Sequence, residues 1–283
     1  MRTRQRIWGM VKRLGGPVLA ALLCWPLAAS AEGHRGVVSL NVCADQLVMM
    51  LLPRERILSV SYLAADPAAS AMAGEAKGLP LNHGQAEEIL PLRPDLVIAG
   101  RYSARPTVHI LQKLGLTVLD LEPESRLEDF RRNLQLVARA TGTMKKANAI
   151  LSDFDARLER LRERAPRRTL VFADYGANGM TSGSGTLVAD VAHLANMRTL
   201  GEVLGVSGMA SVSLEQMIGH PPDILGIDAL RPRAPALANQ TFLHPAFRLV
   251  EERTISVSIP STDWACGTPR TLDALQALIE AAT

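Results

Sequence analysis

His83, His109, His193, His220 and His244 stand singly along this chain, with no H-x-H and no H-E-x-x-H among them. A metal ion held directly by a protein needs three or four ligands converging, usually from short pairs, so this spacing argues against a bare zinc or manganese site. Nucleophilic chemistry is no better supplied. A serine elbow requires Gly-x-Ser-x-Gly, and the run TSGSG at 181–185 has the composition without the spacing. No phosphate loop ending in Gly-Lys-Ser/Thr occurs, and no clean G-x-G-x-x-G. No basic run alternates with aromatic residues, which sets nucleic acid aside. The residues that could do chemistry therefore point to a binder and not to an enzyme.

The start of the chain says where that binder works. Arg2, Arg4, Arg6, Lys12 and Arg13 form a cationic opening, 17–28 is a short apolar stretch, and Ala29, Ser30 and Ala31 form an A-x-A cleavage site. This is the pattern of a cleaved secretory signal peptide, too short in its apolar part to span a bilayer. No small residue immediately precedes Cys24, so a lipoprotein is not indicated. The chain has 31 Lys+Arg and 28 Asp+Glu; the leader's five basic residues leave 26 against 28. The basic total is a property of the leader. Cys43 and Cys266 remain. An even pair in an exported protein reads as a disulfide. Two separate thiols are the alternative, as a redox centre or as soft ligands to a metal.

The elements that must position these residues alternate. Strands are predicted at 36–41, 56–60, 95–99 and 117–121, with helices at 44–52, 86–92, 107–114 and 127–140 between or after them. Alternation of this kind builds a parallel sheet with crossover helices. At 144–165 the apolar residues Ala147, Leu151, Phe154, Leu158, Leu161 and Ala165 recur at three- and four-residue steps, one stripe on a helix about 33 Å long. Its other face, Asp153 to Glu163, reads as solvated, and Pro166 closes it. After it the alternation restarts, with strands at 169–173, 223–227 and 254–257 and helices at 187–194, 214–218 and 269–282. The fold class is α/β: two Rossmann-like lobes with parallel sheets joined by one long α-helix. The expected bounds are 1–31 for the signal peptide, 32–142 for the first lobe, 143–166 for the connecting helix and 167–283 for the second lobe.

One element occurs twice. AEEILPLRPDLVIAG (86–100) aligns with LEQMIGHPPDILGID (214–228), with Glu87 over Glu215, Pro94 over Pro222 and Asp95 over Asp223. A helix, a proline that ends it, an aspartate that bonds turn amides and a buried strand make an ordinary α/β connection. That connection does not require the repeated glutamate.

Together, VVSLNVCADQL (37–47), EEILPLRPDLVI (87–98), MTSG (180–183), VSLEQM (212–217) and STDW (261–264) with Pro269 and Arg270 resemble the substrate-binding proteins of ABC importers for vitamin B12, ferric siderophores and haem. The resemblance covers nearly all of the chain after the leader. It implies two lobes joined by a helix, a ligand cleft between them, little lobe motion, and one surface glutamate per lobe docking on a dimeric permease. Glu87 and Glu215 match those positions, Glu88 being the neighbouring competitor at the first.

In open α/β sheets ligands bind beyond the C-terminal strand ends. That rule selects Asn41, Cys43 and Asp45 after the first strand, Tyr62 after the second, and Arg101 and Tyr102 after the third. In the second lobe it selects Tyr175, Thr181, Ser182 and Ser184, then Trp264. In the first lobe His83, just before the repeated helix, is a further candidate to face in. Trp264 is the only tryptophan after the leader; its ring suits a flat chelate. B12 binders of this family line the cleft with several tryptophans, one of them at the position of Gly100, so this chain departs from them. The expectation is an exported, periplasmic protein, monomeric when free. It would have no catalytic residues, no protein-bound metal and no cofactor of its own. It would capture a cobalt or iron chelate, a corrinoid or a ferric siderophore, for an ABC permease dimer. The alternatives are a bare-metal binder and a thiol-redox protein or enzyme using Cys43 and Cys266.

Overall fold

A computed structural model describes residues 36–176, 179–228 and 240–283. The stretch 1–31, predicted to be a leader, lies outside the described residues. The first half forms β1 (Val37–Ser39), α1 (Val42–Leu51), β2 (Ile57–Ser61), β3 (Leu81–Asn82), α2 (Ala86–Ile89), β4 (Leu96–Gly100), α3 (Arg105–Lys113), β5 (Val118–Leu121) and α4 (Leu127–Thr141). Its strands pair in parallel in the order β3-β2-β1-β4-β5. Helix α5 (Met144–Arg162) follows.

The second half forms β6 (Leu170–Asp174), β7 (Met180–Ser182), α6 (Leu187–Leu194), β8 (Met197–Thr199), α7 (Leu200–Val203), β9 (Met209–Ser211) and α8 (Leu214–Gly219). After these come β10 (Ile224–Ile227), α9 (Gln240–Leu243), α10 (Pro245–Glu251), β11 (Ile255–Ser258), α11 (Thr262–Ala265) and α12 (Thr271–Ala281). Its parallel sheet has the order β11-β10-β6-β8, and β7 pairs with β9 in a small antiparallel ribbon. The architecture is α/β with two parallel sheets in two lobes. Among the described residues no helix is long and apolar enough to cross a membrane.

The repeated Pro-Asp has the same structural job in both lobes. The Asp95 amide donates to the Gly36 carbonyl at 2.9 Å, and the Gly36 amide donates back to Asp95 Oδ2 at 2.8 Å. In the second lobe the Asp223 amide donates to the Val171 carbonyl at 2.8 Å, and the Val171 amide donates to Asp223 Oδ2 at 2.8 Å. Each aspartate thus pins the entry of its strand (β4, β10) to the strand beside it (β1, β6). A backbone N–H and a carboxylate make a charge-assisted pair, stronger than a neutral one.

The stripe of α5 is buried as its spacing predicts, at Ala147, Leu151, Phe154 and Leu161. Phe154 meets Phe130 of α4, ring centroids 5.2 Å apart. The helix ends three residues earlier than predicted, with Glu163–Ala165 turning toward Pro166. Its polar face is not wholly solvated. Asp155 pairs with Arg131 of α4, and Arg157 donates to Asp273 at 2.6 Å and to Gln276 at 3.0 Å, both on α12. These side chains tie α5 to a helix of each half.

One apolar cluster joins the two halves. It includes Leu47, Phe130 and Leu134 before α5, Leu151 and Phe154 on it, and Leu187, Leu272 and Ile279 after it. A disulfide adds a covalent link: Cys43, at the start of α1, is bonded to Cys266, just after α11, with Cα atoms 5.2 Å apart across 223 residues of sequence. The structure therefore holds the pair as one bond and not as two thiols.

Candidate functional site

The turns after β1, β4 and β5 surround a cavity of about 210 Å³. Asn41 shapes its wall. As N-cap of α1, Asn41 accepts the Cys43 amide at 3.0 Å and the Ala44 amide at 3.3 Å through Oδ1. Its Nδ2 donates to Ser103 Oγ at 2.9 Å, so the β1–α1 turn is bonded to the β4–α3 turn. Gly100 follows from this bond: a Cβ there would lie 3.0 Å from Ser103 Oγ and 3.1 Å from Asn41 Nδ2. A large side chain at this position would require the Asn41–Ser103 bridge to move. Arg101 lines the cavity and is paired with Glu122. Tyr102 stands at the rim, 77% exposed.

A larger cavity, about 500 Å³, lies at the ends of β6, β10 and β11. Trp264 lines it, half-buried, its ring 5.8 Å from Phe172. Met209, on the β7–β9 ribbon, stands at its edge, 62% exposed. The two cavities share Glu124 and Ala265. Cys43 lines the smaller one. The interlobe disulfide thus borders the floor where the cavities meet.

Several predicted residues are present but committed to their neighbours. The Tyr175 hydroxyl donates to the Val212 carbonyl at 3.0 Å, and its ring stacks on Phe247. Burial holds that phenol above its ordinary range, with the Glu215 carboxylate adding to the rise. Ser182 is buried; its Oγ donates to Asp174 Oδ2 at 2.5 Å and its amide to Asp174 Oδ1 at 2.9 Å. Thr181 donates to the same carboxylate at 2.9 Å. These three groups oppose the effect of burial, which raises the Asp174 carboxyl. Tyr175 and Ser182 line the larger cavity with their hydroxyls occupied. Ser184 Oγ lies 3.4 Å from the Val206 carbonyl. Asp45 is buried beneath the β2 turn, bonded to Ser61.

Tyr62 and His83 form an exposed shelf beside the first lobe's strand ends. Their rings stack with centroids 5.0 Å apart. His83 Nδ1 lies 2.9 Å from Glu88 Oε1, and the His83 amide donates to Glu88 Oε2 at 2.6 Å. These bonds hold the Glu88 carboxyl below its ordinary range. Glu88 is thus folded back as the cap of α2, while Glu87 points outward, exposed. Glu215 is likewise exposed on α8. Each is the second residue of its helix and lies eight residues before its strand-pinning aspartate.

Neither Glu124 nor Met209 was picked out by the sequence reading. Glu124 lies three residues beyond β5, so the strand-end rule applied to that strand would have found it. Met209 belongs to a three-residue strand with no readable period. Among the described residues no three His, Cys, Asp or Glu side chains converge on a metal ion.

A cleft at the C-terminal ends of two parallel sheets, with one long helix between the two halves of the chain, has known counterparts. The periplasmic heme-binding protein RhuT from Roseiflexus sp. RS-1 superposes with a TM-score of 0.73 at 20% identity, covering 89% of this chain and 100% of that one. The vitamin B12-binding protein BtuF of Vibrio cholerae gives 0.69 at 20% identity, covering 88% and 97%. A cobalamin-binding protein of Halobacterium salinarum is 26% identical over 210 residues, 71% of this chain. The matched region spans only 56% of that relative's length. The sequence profile described as periplasmic binding protein matches residues 37–243, most of the chain. With that match and the two-lobed cleft together, the chain belongs to the periplasmic binding protein family.

Proposed function

We propose that this chain captures a metal chelate, a corrinoid or a ferric siderophore, and delivers it to an ABC transporter permease dimer. The observation that carries this reading is the pair of cavities that meet between the lobes at Glu124 and Ala265. Such a cleft offers a preformed, mostly apolar surface with a few fixed polar groups, as small-molecule sites do. The Halobacterium relative's description as cobalamin-binding supports the corrinoid.

In this reading Trp264, Tyr62, His83 and Tyr102 supply ring surfaces, Asn41 and Arg101 frame the first-lobe wall, and Tyr175 and Ser182 support the second. Glu87 and Glu215 dock on the permease, one per lobe. The leader at 1–31 directs a monomer to the periplasm, where residues 32–142 and 167–283 act as lobes on the connecting segment 143–166. The protein holds its ligand without transforming it.

Titration of the leaderless protein with cobalamin, cobinamide and several ferric siderophores, followed by Trp264 fluorescence and calorimetry, tests the reading. Saturable binding of one class at micromolar concentration or below is expected. No binding to any of them would overturn it.

A further inference from the structure

We propose that Glu124 is the specificity-determining residue of the cleft, selecting chelates that present amide N–H groups and rejecting those that present free carboxylates. The inference rests on the chelate-binding reading and adds the chemical class of the ligand's periphery. Glu124 is one of the two residues that line both cavities, so a ligand spanning the lobes passes over it. The other, Ala265, carries no polar side chain.

The carboxyl is held in place from two sides. Asn133 Nδ2 donates to Glu124 Oε1 at 2.7 Å and to the Glu122 carbonyl at 2.8 Å, which fixes the amide that fixes the acid. The second lobe braces the stem: a Cβ on Gly267 would lie 3.0 Å from Glu124 Cγ. Preorganisation of this kind lets a polar group discriminate without first being ordered by the ligand.

The surroundings favour one sign. The larger cavity is lined by Glu124 and by Asp174, and by no Lys, Arg or His among the described residues. Arg101, in the smaller cavity, is already paired with Glu122. Arg132 acts on Glu124 from outside the cleft and is itself paired with Asp129. Burial raises the Glu124 carboxyl above its ordinary range, and the Asn133 bond opposes that rise. A ligand amide satisfies this group as an N–H donor. A ligand carboxylate meets like charge in a poorly hydrated place, and like-charge juxtaposition is how binding sites suppress wrong partners.

The test compares two corrin probes that differ only at the periphery: dicyanocobinamide, with amide side chains, and dicyanocobyrinic acid, with carboxylates. Wild-type protein is expected to bind the amide probe at least tenfold more tightly. Glu124→Gln removes the charge and keeps the shape; it should bring the ratio toward one, mainly by strengthening the carboxylate probe. Glu124→Asp keeps the charge and should keep the preference, with thermal unfolding confirming that both variants fold. An unchanged ratio in Glu124→Gln, or a wild-type preference for the carboxylate probe, would overturn the assignment of Glu124 and leave chelate binding standing. Failure of wild type to bind either probe, with siderophores also silent, would overturn both.

Discussion

Asp45→Asn should reverse its effect on stability between acid and neutral pH. Asp45 is fully buried in α1, accepting the Ser61 amide at 3.1 Å and the Ser61 hydroxyl at 2.5 Å. Burial pushes its carboxyl up from 3.8 to about 6, against the opposing bonds from Ser39 and Ser61. Between those two values the folded state binds more proton than the unfolded state, so stability falls as pH rises through the window and is flat above it. A rise from 3.8 to about 6 corresponds to about 3 kcal/mol. Asparagine carries no charge to desolvate and keeps the bond from the Ser61 amide. Its N–H₂ can donate to the Ser61 oxygen, whose hydroxyl turns to accept, but it brings a second N–H into a buried place, a change costing about 1 kcal/mol. Below pH 3.8 the variant should therefore be less stable than wild type by about 1 kcal/mol, and above pH 6 more stable by about 2 kcal/mol. Urea unfolding of both proteins from pH 3.5 to 8 at constant ionic strength measures the difference, in which the other carboxylates cancel. A difference that does not change with pH, or a variant less stable at pH 7.5, would refute the reasoning.

Three further outcomes follow from the packing. Replacing both Cys43 and Cys266 by serine releases a 223-residue loop, worth about 5 kcal/mol in chain entropy and roughly 10 °C in Tm. The urea m-value should rise with it as the unfolded chain expands, and calorimetry with urea titration reads both. Gly201→Ala would place a Cβ 2.4 Å from the Ser182 carbonyl and should cost about 2–4 kcal/mol, seen as a lowered urea midpoint. Reversing both Glu87 and Glu215 to lysine should leave ligand affinity unchanged and, if they dock on basic permease residues, cut cellular ligand uptake at least tenfold, since two exposed pairs worth about 0–1 kcal/mol each are lost and like charges then face each other. Equal uptake would remove these residues from docking.

The parts of the fold that repeat or have a long period could be read directly. Leu187–Leu194 and the start of α5 fall where the apolar spacing puts them, because a buried helical stripe has few alternatives. The strands β7, β8 and β9 were missed; each is three residues long, too short for alternation to register. Helix α11 escaped for the same reason, with four residues around Trp264. The strand-end rule brought Asn41, Arg101, Tyr102 and Trp264 to the cavities but could not say where a hydroxyl points. Tyr175 and Ser182 reach the larger cavity with their donors already used, a fact fixed by Val212 and Asp174 from distant parts of the chain. The cysteine pair was legible as a possibility only, since its bond depends on two loops meeting at the cleft floor.

The bond between Cys43 and Cys266 also bears on what a partner can learn by touching this protein. A partner that grips one carboxylate on each lobe can sense occupancy through the distance between its grips. If Glu87 and Glu215 are those carboxylates, an apolar cluster common to both halves and the disulfide would hold that distance nearly constant whether or not ligand is bound. The message that cargo is present would then be carried by the cargo itself, displayed near the exposed Tyr102 and Met209. Empty molecules would occupy the same docking sites as loaded ones, and an excess of binder over ligand would slow import instead of hastening it.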